Sequence, residues 1–96
     1  MAFFVYIMTN KPDGTLYIGY TDDLGRRLME HREKVREGFA KRYNLTRLVH
    51  FEAYDTREKA KQRERRLKRW LRVWKAELIE KENPTWRDLS EDIPLP

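Results

Sequence analysis

No cysteine occurs in this chain. That removes disulfides, thiolate zinc sites and a cysteine nucleophile together, and leaves the fold to be held by packing. Long apolar runs are also missing. The longest near the N-terminus, Phe3-Phe4-Val5-Tyr6-Ile7-Met8, is far short of a bilayer span, and no basic leader or small-residue cleavage site precedes it, so a cytoplasmic protein is expected. There is no H-E-x-x-H pair, no glycine-rich phosphate loop and no nucleophile elbow, which sets those enzyme classes aside. Internal repeats, linkers and low-complexity segments are absent as well. Glycine and proline number four each, and they serve as punctuation.

What remains is 96 residues, 39% of them charged, with a formal net charge of +5. A chain of this length forms one domain with a thin stability margin. Its charge is unevenly placed. Arg57 to Lys75 holds ten Lys or Arg against Glu58 and Glu64, whereas Glu77 to Asp92 carries six acids against Lys81 and Arg87. Such asymmetry suits a polyanion partner, and it equally suits a solvated basic helix followed by an acidic tail; charge alone leaves both open.

Residues 3–9 and 15–20 are rich in β-branched and aromatic side chains and flank Asn10-Lys11-Pro12-Asp13-Gly14, a turn signal, which predicts a β-hairpin. A four-residue loop over 10–13 would pair Thr9 with Gly14 and place Tyr6 opposite Tyr17. One face would then gather Phe3, Val5, Ile7, Leu16, Ile18 and Tyr20 as core, and the other, more polar, would carry Phe4, Tyr6, Met8, Thr15, Tyr17 and Gly19. Thr21 or Asp22 can cap a helix over about 22–37, with Leu24, Leu28, His31 and Val35 inward and Gly38 as a stop. Residues 47–54 alternate as a third strand. Thr56 can cap a second long helix through Ala60, Leu67 and Trp70, with a bend near 70–72, and Leu71, Trp74, Leu78 and Ile79 continue its apolar stripe until Asn83-Pro84 ends it. The order β-β-α-β-α-α implies an α+β domain, a three-stranded antiparallel sheet flanked by helices.

Glu64 lies four residues after Ala60 and three before Leu67, which puts a carboxylate in the inward stripe of a basic helix. An ion pair with Lys68 would satisfy it, and so would a Mg²⁺ ion, which accepts few protein ligands and keeps its waters. Arg27, next to the core position Leu28, can project from the edge of the buried stripe, with Arg26 as its rival; a guanidinium there suits phosphate, and a plain surface arginine fits as well. Tyr6 and Tyr17 are ordinary strand aromatics by propensity. A phenol with a pKa near 10 needs a cation or a metal-bound water beside it to act as a base. His31 shares the helix face of Arg27 and has two readings, a half-buried packing residue or an aid to phosphate binding. His50 shows no site partner.

Taken in order, Val5-Tyr6-Ile7, Leu16-Tyr17-Ile18-Gly19, Leu24-Gly25-Arg26-Arg27-Leu28 with His31, and Glu64 in a long basic helix resemble the GIY-YIG nuclease superfamily. Small stand-alone bacterial members are the nearest likeness, through Tyr43-Asn44-Leu45-Thr46-Arg47-Leu48-Val49, Glu64-Arg65-Arg66-Leu67-Lys68-Arg69-Trp70 and the Asn83-Pro84-x-Trp86 ending. The resemblance implies a nuclease domain over 1–83, a tail over 84–96 packed through Trp86, and Mg²⁺- or Mn²⁺-dependent hydrolysis of DNA phosphodiesters, linked to DNA repair or processing. It assigns catalysis to Tyr6, Tyr17, Arg27 and Glu64, with Glu64 holding the metal and Gly19 and His31 auxiliary. Lys61, Arg65, Arg66, Lys68 and Arg69 would attract the nucleic-acid backbone. Two positions depart from the pattern: Phe4 stands where the first motif has glycine, and Tyr20 where the repair enzyme of the superfamily has lysine. With no appended specificity domain, a protein partner could supply recognition. A catalytically silent nucleic-acid-binding domain that keeps the same fold is the alternative.

Overall fold

The computed structural model describes residues 2–33 and 45–93. The predicted positions Val35, Gly38, Tyr43 and Asn44 lie outside them. Strands β1 (Phe3–Thr9), β2 (Leu16–Thr21) and β3 (Arg47–Tyr54) form one antiparallel sheet in the order β2-β1-β3, with helix α1 (Leu24–Glu33) between β2 and β3 in the chain and helices α2 (Arg57–Arg69) and α3 (Arg72–Glu82) after β3. This is the expected β-β-α-β-α-α, α+β architecture.

The hairpin register differs from the expected one. Tyr6 pairs with Gly19, Met8 with Tyr17 and Thr9 with Leu16, so the loop runs over 10–15 and the pairing is offset by two residues. The longer loop is held by side chains and backbone together: the Thr15 amide donates to Asn10 Oδ1 at 3.0 Å and the Gly14 amide to the Lys11 carbonyl at 2.9 Å. Because side chains alternate with a period of two, an offset of two leaves every residue on its face. Tyr6 and Tyr17 therefore still share one.

Neither face is polar. Val5, Ile7 and Ile18 pack with Val49, Ala60, Leu67, Ile79 and Trp86 under α2 and α3, while Tyr6 and Met8 pack with Leu24, Leu28, Leu45 and Leu48 under α1. The Tyr6 face was expected to be the more polar, and α1 has made it a second core instead. Each fully buried Leu or Ile contributes about 1.5–3 kcal/mol, which a short chain without disulfides needs on both sides of its sheet. Among the described residues no helix is long and apolar enough to cross a membrane.

Helix caps fix the entries. Asp23 caps α1, accepting from the Arg26 amide at 3.0 Å while the Thr21 hydroxyl accepts from the Asp23 amide at 3.1 Å, so neither predicted cap holds that place, and α1 starts at Leu24 rather than at 22. Thr56 caps α2 as expected, accepting from the Lys59 amide at 3.2 Å. Extended backbone at Trp70 and Leu71 then separates α2 from α3, and α3 ends on Asn83. Asn83, 3% exposed, donates through Nδ2 to the carbonyls of Val49 and Arg87 and accepts the Arg87 amide. It stitches the tail to the sheet, and Trp86 is buried beside it with Nε1 donating to Glu80 at 2.8 Å.

Candidate active site

Strand β2 is an edge strand, with α1 over one face and α2 over the other. Side chains from both helices meet beyond that edge, around a cavity of about 300 Å³. From the hairpin it is lined by Tyr6, Tyr17 and Gly19, from α1 by Arg27, and from α2 by Glu64. Five positions scattered through the sequence thus converge on one hollow. Tyr20, Thr21, Asp22 and Arg57 complete the wall.

The two tyrosines and His31 form a compact aromatic group. Ring centroids are 6.2 Å apart for Tyr6 and Tyr17, 5.9 Å for Tyr6 and His31, and 5.4 Å for Tyr17 and His31, the two histidine pairs edge-on. Tyr6 Oη stands 3.4 Å from His31 Nε2. Tyr6 is 1% exposed and His31 8%, so both belong to the packed interior, Tyr6 bordering the cavity and His31 behind it, while Tyr17 is partly exposed on the wall. Gly19 makes this possible, because a β-carbon there would fall 2.5 Å from Tyr6 Oη. The bare backbone of β2 is the floor on which the Tyr6 ring rests.

The charged members are placed differently. Arg27 Nε is 3.4 Å from Glu30 Oε1, an ion pair along α1, and its side chain is 21% exposed. Glu64 is 15% exposed and pairs with Lys68, Oε2 to Nζ 3.5 Å, while Lys68 itself is 54% exposed. The ion pair that would satisfy Glu64 and its position on the cavity wall are therefore both present. An open pair of this kind is worth about 0–1 kcal/mol, little enough for a cation or substrate to displace. Arg65, Arg66, Lys68 and Arg69 line the exposed side of α2, and Lys61 is half-buried.

Arg57 was not expected at the cavity, and Tyr20, Thr21 and Asp22 were expected only as a core residue and as helix caps. Arg57 precedes Glu64 by seven residues, two helical turns, so a shared face was the available signal; its guanidinium also covers the Phe3 ring at 4.9 Å. Tyr20 was expected to face the core, and it does pack against the Val5–Ile7 cluster while also reaching the cavity. Asp22 forms a 3.6 Å ion pair with Arg26.

On β3, the other edge strand, His50 is paired, though with no residue of the cavity. Glu52 on β3 accepts from His50 Nε2 at 2.8 Å, from Tyr54 Oη at 2.7 Å, and from Arg63 Nε and Nη2 at 2.9 and 3.1 Å. Burial alone would push the Glu52 carboxyl up; the hydrogen bonds from His50, Arg63 and Tyr54 outweigh it and hold the group well below the usual carboxylate range. This network ties β3 to α2 and so helps set the position of the helix that carries Glu64.

A model of the GIY-YIG catalytic domain matches residues 2–77. The chain belongs to the GIY-YIG family. A UPF0213 protein of Haloquadratum walsbyi is 39% identical over 77 residues, spanning 80% of this chain and 85% of the relative. One of Bacillus pumilus is 38% identical over 68 residues, 71% of this chain and 69% of the relative. The solution structure of a UPF0213 protein from Bacillus halodurans superposes with a TM-score of 0.57 at 29% identity, covering 95% of this chain and 96% of the other. A GIY-YIG domain makes this a member of a nuclease-type family and points to nucleic acid as the partner.

Proposed function

We propose that this GIY-YIG protein is a Mg²⁺-dependent endonuclease that hydrolyses DNA phosphodiester bonds in repair or processing. The observation that carries the reading is the convergence of Tyr6, Tyr17, Arg27 and Glu64 on one cavity. Among the described residues no group of three or more His, Cys, Asp or Glu side chains is placed to cage a metal. Two carboxylates border the open, polar hollow, Glu64 and Asp22, and Asp22 is paired with Arg26; so few protein oxygens suit an ion that keeps most of its waters, as Mg²⁺ does, and Mn²⁺ accepts the same oxygen donors. Glu64 would hold it. When bound, the ion supplies Lewis-acid polarisation of a phosphoryl oxygen.

The chain's own groups account for the rest. Arg27 neutralises charge that builds on the phosphate, a contribution that grows as the cavity excludes water. Tyr17, partly exposed on the wall, orients the attacking water through its hydroxyl, and Tyr6, set 3.4 Å from His31, links that wall to an imidazole able to exchange a proton. Basic residues of α2 hold the nucleic-acid backbone through salt-sensitive contacts. Recognition of particular sites falls to the shape of the DNA or to a protein partner.

The test is cleavage of single-stranded, duplex and branched DNA with Mg²⁺ or Mn²⁺ by the wild type, Glu64→Ala and Tyr17→Phe. Loss in both variants supports the mechanism, and equal cleavage by all three defeats it. The Lys68–Glu64 ion pair favours a second reading, a silent nucleic-acid-binding domain. Salt-dependent binding with no cleavage in either metal would establish that one instead.

A further inference from the structure

Three of the four large apolar side chains most exposed among the described residues fall within four positions of each other at the corner between α2 and α3: Leu71 at 58%, Val73 at 56% and Trp74 at 49%. Single exposed apolar residues are unremarkable, but a cluster of them calls for an occupant. The core does not require these side chains, since α3 is anchored through Ile79, Ala76 and Leu78. The flanking sequence is cationic, with Arg66 and Arg69 exposed, Lys75 half-buried and Arg72 exposed but paired with Asp13 at 3.4 Å.

The exposed indole is also fixed in place. Trp74 meets Trp70 edge-on, centroids 6.3 Å apart at 86°. Arg63 covers the Trp70 ring at 5.1 Å and is itself clamped by both oxygens of Glu52. A chain of contacts from β3 thus sets an aromatic ring at a positively charged surface, lowering the ordering cost of anything that stacks on it.

We propose that this corner is a stacking platform for unpaired DNA bases, with Trp74 and Leu71 engaging the bases and the neighbouring basic side chains the phosphates. The proposal rests on the nuclease reading and adds a substrate class, DNA with an unpaired segment. Bases within a duplex are already stacked and cannot offer a face to an exposed indole, whereas a single-stranded stretch can. Charge complementarity to phosphate selects nucleic acid over an apolar partner.

The experiment measures binding of the full chain to fluorescent oligothymidylate and to a blunt duplex in EDTA, so that no cleavage intervenes, with wild type, Trp74→Ala, Trp74→Phe and Leu71→Asn. Trp74→Ala should weaken oligothymidylate binding by about tenfold or more and duplex binding by less than about twofold, with an unchanged salt slope. Trp74→Phe should retain most of the affinity, and Leu71→Asn should reproduce the selective loss even if the alanine variant folds poorly. Equal weakening on both DNAs, or on neither, overturns the proposal. So does a wild-type dimer that Trp74→Ala converts to a monomer in sedimentation, which would make the corner a contact between copies. Because binding is read without metal, the platform and the nuclease reading can fail separately.

Discussion

Tyr6 and Gly19 are cross-strand partners, and the phenol packs where the glycine has no side chain: a β-carbon at Gly19 would stand 2.5 Å from Oη and 2.7 Å from Cζ. The ring is buried in the α1-side core and cannot swing aside without displacing Leu24 or Leu28. Gly19→Ala should therefore cost about 1–3 kcal/mol of stability and about 100-fold in cleavage, since small displacements of a site group have effects of that order. Thermal melting and single-turnover cleavage would measure the two. A fully active, fully stable alanine variant would show that the ring is not fixed by this contact.

Lys68 competes for the Glu64 carboxylate across 3.5 Å. If Glu64 holds the metal, Lys68→Ala should lower the Mg²⁺ concentration for half-maximal cleavage at saturating DNA by about 1.5- to 5-fold, the range set by an open ion pair. An unchanged or higher requirement would argue that the pair does not restrain the carboxylate.

The Glu52 network predicts an acid-sensitive contribution to stability. Its folded carboxyl is held below the unfolded value of 4.5, so between the two the unfolded chain binds the extra proton. The contribution is complete above about pH 5 and is lost as pH falls through the folded value. Glu52→Gln should cost about 1–3 kcal/mol at pH 7 and should flatten the fall in melting temperature between pH 5 and strongly acidic pH. Parallel melting curves for variant and wild type across that range would contradict this.

Asn83 uses both functions of its amide, donating to Val49 and Arg87 and accepting from Arg87. The near-isosteric Asn83→Asp keeps the acceptor but places a carboxylate against two carbonyls. It should destabilise at least as much as Asn83→Ala, by about 2 kcal/mol or more. Urea denaturation at neutral pH would rank the two variants.

The legible parts of the sequence were those written in periodicity and caps. Alternation gave the hairpin faces and a third strand at 47–54, Thr56 gave the start of α2, and the position of Glu64 between Ala60 and Leu67 brought it to the cavity wall. The hairpin register was not legible, because an offset of two residues leaves the same faces and the choice fell to the Asn10 side chain, which widens the loop. The α1 cap was misplaced because Thr21, Asp22 and Asp23 are all capable, and only the backbone path after β2 chooses among them. The Glu52 network left a trace that went unread: His50, Glu52 and Tyr54 recur at intervals of two, pointing to the same inward face.

Tyr6 is counted twice in this molecule, as interior and as cavity wall. A program of thermostabilising substitutions would ordinarily begin with the residues around the most buried ring, tightening Met8, Leu28 or Leu48 against it. Here each such gain would be transmitted to the phenol that borders the cavity. Directed evolution for heat tolerance should accordingly accumulate its changes on the α3 side of the sheet, around Ile79 and Trp86, and leave the α1 side alone.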